Sequence, residues 1–292
     1  MQRFVDLTLN GLANGAIYAA VALSLVLIWR ATRILNFAQA GMLMVTTFIA
    51  WSLIDAGASY WVGFFAALAA GLALGAIVER VVIRRVEGAP PLNAIIVTLG
   101  LLVLLQAAAG MIWGGNPKSF PPAFSIAGYH VGERAVLFSP FDLFTILVVA
   151  ALMLALVVLF RRTSLGLQMR AAALAPEVAR LLGVRVGRMF TSGWALASLA
   201  GSLAGLLVAP AVFVAPNTFD PILVFGFTAA VLGGLESPPG AVVGGVVVGL
   251  ALSYVSGYAG ASVVTLGALA ILVAVLMVRP QGLFTRAQVR RV

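Results

Sequence analysis

At 292 residues, with 62% hydrophobic side chains, 9% charged side chains and a mean hydropathy of +1.11, the chain carries more apolar surface than a water-soluble core hides. An ordinary soluble domain is excluded, and lipid is the expected solvent for most of it. The formal net charge of +9 is spread as short arginine groups between apolar runs, which reads as membrane topology rather than as a nucleic-acid patch. There is no cysteine, so disulfides, thiol catalysis and thiolate metal sites are excluded.

The first stretch, MQRFVDLTLNGLANG, lacks the basic leader and small-residue cleavage pattern of a secretory signal, so the first apolar run is expected to stay as a span. Apolar runs follow at Leu9–Ile28, Phe37–Ile54, Tyr60–Val78, Leu92–Trp113, Phe141–Phe160, Phe190–Pro210, Ile222–Leu235, Gly240–Tyr258 and Ala261–Val278. Most are long enough to cross a hydrocarbon core of about 30 Å. The seventh is short and is joined to the eighth by Glu236-Ser237-Pro238-Pro239-Gly240. Residues 222–258 are therefore read either as a re-entrant pair or as two full spans. The expected fold is an all-α polytopic membrane protein, a bundle of eight to nine transmembrane or re-entrant helices forming one transmembrane domain over residues 1–292. Glycines spaced four apart (Gly11/Gly15, Gly71/Gly75, Gly201/Gly205, Gly240/Gly244 and Gly245/Gly249) predict close helix packing.

Fifteen of the eighteen basic residues fall in alternate breaks: after the first, third and fifth runs and after the last, where Arg279, Arg286, Arg290 and Arg291 stand. The positive-inside bias then puts those breaks in the cytoplasm, the N-terminus outside and the C-terminus inside. Residues 114–140, rich in Gly, Pro and aromatics, form the largest external break and are expected to be an ordered cap or a short interfacial element rather than a domain.

No Asp, Glu, Lys, Arg or His stands in the middle of a run, and all nine acids are read as lying at span ends or in breaks. This speaks against proton-coupled carriers and voltage sensors. No metal site, no cofactor site and no catalytic residue set is apparent. A phosphate-binding GxxxxGK[ST] loop is missing, so any ATP hydrolysis belongs to another polypeptide. Neutral polar groups lie within the runs. Asn14, Asn36, Gln39, Asn93 and Thr98 are candidates for a substrate path, with interhelical hydrogen bonding as the plainer reading. Asn36 and Gln39, three apart, are expected to share one helical face.

The break from Arg161 to Arg188, within residues 161–189, is the longest cytoplasmic one, and it has helix punctuation. Ser164 is expected to cap a helix over Leu165–Leu174, and Ala175, preceding a proline, should break it. Pro176 opens a second helix and Gly183 closes it in the left-handed conformation. Glu177 and Arg180 suit the two ends of the helix dipole. Val178, Leu181 and Leu182 make one apolar stripe. An amphipathic helix of this kind either docks on a partner or lies on lipid headgroups.

Glu177-Val178-Ala179-x-x-x-Gly183 resembles the EAA-x-x-x-G coupling loop of ABC-transporter permeases. Asn36-Phe37-Ala38-Gln39, "VLGGLESPPGAVVGG" from Val231, "RPQGLF" from Arg279 and "SLGLQMRAAALAPEVARLLGV" together look like permeases of branched-chain amino-acid (Liv-type) ABC importers. The likeness covers nearly the whole chain. It departs at Ala175, where an acid is usual before Pro176, at Ala40-Gly41 and at Glu236. It implies a subunit of the inner membrane that pairs with a second, identical or paralogous permease, two cytoplasmic ATPases and an external solute-binding protein. Glu177, Val178, Arg180, Leu181, Leu182 and Gly183 would then couple to the ATPase. Branched-chain amino acids are the implied cargo. A permease of the same class for urea, amides or aromatic acids, and a self-sufficient Na⁺-coupled carrier, are the alternatives.

Overall fold

The computed structural model describes residues 2–131, 134–135, 138–279 and 282–284. The chain runs through α1 (Gln2–Thr32), α2 (Gln39–Asp55), α3 (Tyr60–Val81) and α4 (Pro91–Trp113), then the antiparallel pair β1 (His130–Val131) and β2 (Arg134–Ala135). It continues with α5 (Pro140–Arg162), α6 (Ser164–Leu174), α7 (Pro176–Leu181), α8 (Val186–Val208), α9 (Asp220–Gly233), α10 (Pro238–Ala259) and α11 (Val264–Val278). Among the described residues, nine apolar helices therefore stand where nine apolar runs were read, and the architecture is helical apart from the two-residue strands in the loop before α5.

Local chemistry starts several of these helices where the sequence changes character. Ser59 caps α3 by accepting a bond from the Val62 amide. Ser139 and Asp142 form a reciprocal capping box, with Pro140 as the first residue of α5. Seven helices (α1, α3, α4, α5, α8, α10 and α11) are long and apolar enough to cross a membrane, whereas α2 has 17 residues and α9 only 14.

Helix α1 is the central post, buried over most of its length, and α8 lies beside it. Such burial fits a helix that is apolar on every side. α4, α5 and α11 form the rim, and their exposed leucines, isoleucines and valines (Ile96, Leu147, Leu154, Val273) face outward where lipid replaces water. The predicted glycine pairs lie at helix crossings. A Cβ added to Gly11 would stand 2.9 Å from Leu250 Cα, and one added to Gly245 would stand 2.5 Å from Ala19 Cα. The α1 and α10 backbones thus touch with no room for side chains between them. On the other side, Gly75 of α3 faces Ser198 of α8, and Gly205 faces Thr47 of α2.

The bundle has a basic end and an opposite end. At the basic end, Arg33 after α1 pairs with Glu236 in the α9–α10 link, and the Leu283 amide bonds to Leu232 O at 2.9 Å. At the opposite end, Arg3 donates to Gly257 O, Lys118 pairs backbone to backbone with Val214, and Trp51 Nε1 donates to Ser119 O at 3.1 Å. Twelve of the described basic residues lie towards the first end, and Arg286, Arg290 and Arg291 lie outside the described residues.

The link at Glu236 joins the two elements of residues 222–258 at the basic end. α10 runs the length of the bundle, from Glu236's end to Arg3's. α9 is about 21 Å long, shorter than a hydrocarbon core. In the connection from α8, Val214 and Phe219 are fully buried. Asp220 heads α9, and its carboxylate accepts a 2.9 Å bond from Gln106, which precedes the end of α4 by seven residues, about 10 Å. This acid thus stands at the start of its span, part-buried against α4.

Candidate functional site

The basic break folds into α6 and α7, two short helices held between α5 and α8. The first cap falls one residue before the expected Ser164. Thr163 has extended dihedrals (φ −113°, ψ 152°), its Oγ1 accepts from Gly166 N at 3.1 Å, and Ser164 is already helical. The reason is steric. Gly166 packs on the end of α5, where an added Cβ would meet Phe160 Cα at 2.5 Å, so the chain must turn immediately after Arg162.

Ala175 (φ −147°, ψ 78°) breaks the helix and Pro176 begins α7, as the sequence predicts. Gly183 closes it at φ +82°. The Gly183 amide bonds to Arg180 O at 3.0 Å and the Val184 amide to Ala179 O at 2.9 Å, the paired closure of a Schellman motif. Ala179 is buried in a small cluster with Met169, Ala172, Val186, Met189 and Phe190, which seats α7 on α6 and α8. The stripe faces the other way. Leu181 is 88% exposed and Leu182 78%, with Val178 beside them, so this chain leaves the stripe uncovered. Glu177 and Arg180 pair at 3.3 Å on the exposed surface.

A polar clamp missed by the sequence reading stands just beyond α7. After α3 the chain makes a short turn at Ile83–Arg85 that curls Arg84 back onto Glu79. Arg84 Nε and Nη2 grip the Glu79 carboxylate at 2.9 to 3.1 Å. Nη2 also donates at 2.9 Å to Gly187 O and to the Thr191 hydroxyl in the first turns of α8, and that hydroxyl donates to Glu79 at 2.6 Å. Glu79 is almost fully buried, so the charge is neutralised by a bidentate partner. In the sequence these residues looked like topology charges. The only local signal was an acid five residues before an arginine at a span end.

The five candidate path residues do not converge. Asn14 alone of the five reaches a cavity of about 600 Å³ at the opposite end between α1 and α10, which Arg3, Asn10, Tyr18 and Ser253 also line. Its amide donates to Asn10 Oδ1. Asn36 and Gln39 do not share a helical face, because α2 starts only at Gln39. Asn36 makes a side-chain turn instead. Its Oδ1 accepts from Ala38 N at 3.0 Å, and its Nδ2 donates to Gln39 Oε1 at 3.0 Å. Gln39 Nε2 reaches Ala197 O at 3.4 Å, so both side chains are buried and committed to packing. Thr98 is buried, its hydroxyl donating to Ile95 O at 3.0 Å, and Asn93 is exposed on α4.

A polytopic helical bundle with basic breaks at one end, a stiff helix seated there with its apolar face free, and a polar cavity at the other end defines a membrane permease. Residues 7–278 match the family described as "Branched-chain amino acid transport system / permease component", and the chain belongs to that family. It is 29% identical to the high-affinity branched-chain amino acid transport system permease protein LivH of Escherichia coli (strain K12), over 99% of this chain and 98% of that one. The Pseudomonas aeruginosa permease protein BraD is also 29% identical, with the same coverage. A probable permease protein LivH of Methanocaldococcus jannaschii is 26% identical over 90% of this chain and 87% of its own. Among solved structures, a chain of PsaBC from Streptococcus pneumoniae in complex with Fab shares the fold, with a TM-score of 0.52 at 16% identity over 93% of this chain and 91% of that one.

Proposed function

We propose that the chain, as one permease domain, forms half of the transmembrane path of an ATP-driven importer in the inner membrane, carrying branched-chain amino acids inward. In this reading the basic end faces the cytoplasm, as the arginine bias favours. A second permease completes the path, an external binding protein delivers the amino acid near the polar cavity, and two ATPase subunits dock beneath. The observation that carries the reading is the uncovered Leu181/Leu182 stripe on α7, a helix stiffened by Pro176 and by the closure at Gly183.

The stripe suits an apolar groove on an ATPase. Burying a leucine contributes about 1.5–3 kcal/mol, and a carboxylate in its place adds a desolvation cost of several more. Leu181→Asp combined with Leu182→Asp is expected to strip the ATPase from the purified complex and to abolish uptake, while the bundle still inserts. Full ATPase retention with wild-type uptake would show that α7 lies on lipid instead. A self-sufficient Na⁺-coupled carrier predicts gradient-driven uptake by this chain alone in liposomes, and the importer reading predicts none. The cargo is read from a solute panel on the binding protein, which separates branched-chain amino acids from urea, amides or aromatic acids.

A further inference from the structure

The basic end holds a second cavity, separate from the α7 stripe and from the polar cavity at the opposite end. It lies between α1, α5, α6 and the first turn of α10 and measures about 210 Å³. A smaller void of about 30 Å³ shares Arg30, Phe160 and Arg170 with it. Arg30, Arg161 and Arg170 line it where α1 and α5 end. Leu23 and Met153 line it further in, seven or eight residues earlier on those helices, which is about 10 Å along their axes. The cavity therefore passes from cationic to apolar over the depth that separates a headgroup from hydrocarbon.

Among the described residues no carboxylate stands within ion-pair distance of Arg30, Arg161 or Arg170; the ion pairs are Arg33–Glu236, Arg84–Glu79 and Arg180–Glu177. Glu236, whose charge acts on Arg30, is itself paired with Arg33. Arg30 lies over the Phe160 ring at 5.7 Å, and Arg170 Nε makes one 3.4 Å bond to Gly166 O. Three like charges around a half-enclosed apolar space repel one another unless an anion joins them.

We propose that this cavity binds the phosphate headgroup and the first part of an acyl chain of an anionic phospholipid from the adjoining leaflet. Basic pockets between membrane helices at the arginine-rich side are suited to such headgroups. The volume holds a phosphate and glycerol but not a whole lipid, so the remaining chain must leave the cavity toward the surrounding bilayer. A free phosphate would satisfy the arginines but leave the Leu23 and Met153 walls against empty space. The lipid would bridge α1 and α5 to α6, the element that carries α7. The proposal rests on the bundle lying in a membrane and not on α7 docking to an ATPase.

The test uses the full-length chain in nanodiscs of phosphatidylcholine containing a minor fraction of phosphatidylglycerol. After extraction and washing in detergent, the retained lipids are quantified by mass spectrometry. The wild type is expected to retain phosphatidylglycerol well above its bulk ratio, because each arginine favours an anionic headgroup by roughly fivefold. Arg30→Gln with Arg170→Gln should reduce that enrichment by roughly tenfold or more. Arg162→Gln, which removes the same charge from a residue that does not line the cavity, should preserve it. Equal retention of the two lipids by the wild type, or undiminished enrichment in the double variant, overturns the proposal. Full displacement of phosphatidylglycerol by inorganic phosphate also overturns it, by making the site one for a free anion. The wild-type measurement needs no variant, so it decides the question even where the double variant does not fold.

Discussion

Glu79 at the end of α3 and Thr191 in the first turns of α8 are joined by a 2.6 Å hydrogen bond, although 112 residues separate them in the chain. Arg84 closes the arrangement by gripping both groups and the Gly187 carbonyl. The start of α8, which follows α7 after a few residues, is thereby locked to α3. α3 and α8 pack along their lengths through Gly71 and Gly75 against Ser202 and Ser198. A displacement of α7 would pass through this joint into the bundle rather than be absorbed by a loose connection.

The clamp should therefore matter to stability and to transport. Glu79→Ala leaves Arg84 without its buried partner and is expected to destabilise the purified protein by about 2–4 kcal/mol, at the lower part of that range because Arg84 is partly exposed. Thr191→Val removes one hydroxyl from the network and should cost about 1–2 kcal/mol. Thermal unfolding in detergent measures both. An unchanged midpoint for Glu79→Ala would show that the clamp contributes no stability.

Gly183 separates helix stiffness from surface chemistry. Its φ of +82° is a left-handed conformation that β-branched side chains resist, and its surroundings are open, so a substitution there acts through the backbone alone. Gly183→Val should lower uptake several-fold while most of the ATPase still co-purifies, because the Leu181/Leu182 face is kept. Gly183→Ala should fall between valine and wild type. Equal uptake by all three proteins would sink the idea that a sharply terminated α7 is required.

Single cysteines introduced into the cysteine-free chain test the orientation. Arg85→Cys and Ala171→Cys should react with a reagent confined to the cytoplasm, and Ser119→Cys should react only from outside. Thr285→Cys, beyond the described residues, should behave like Arg85→Cys if the C-terminus is cytoplasmic. Cytoplasmic labelling of Ser119→Cys would invert the bundle. It would also remove α7 from reach of any ATPase.

What the sequence determined by itself was whatever depends on neighbours along the chain. Runs of apolar residues set the nine helices, because a backbone in lipid must satisfy its own hydrogen bonds. The Ala175-Pro176 break and the left-handed Gly183 follow from sterics within a few residues, so α7 was legible to the residue. The glycine pairs announced close crossings, though not which helix would meet which. Tertiary structure decided the rest. Thr163 rather than Ser164 became the cap because Gly166 packs on α5. Asn36 folded into a turn because its amide pairs with Gln39, which in turn reaches Ala197 across the bundle. Arg33 adopts φ +59°, rare for a side chain of its size, where it lies over Trp29 and pairs with Glu236 some two hundred residues away. Such pairings depend on the rotation and depth of each helix against its neighbours, and those are set by side-chain packing across the bundle, which residue order along one helix does not encode.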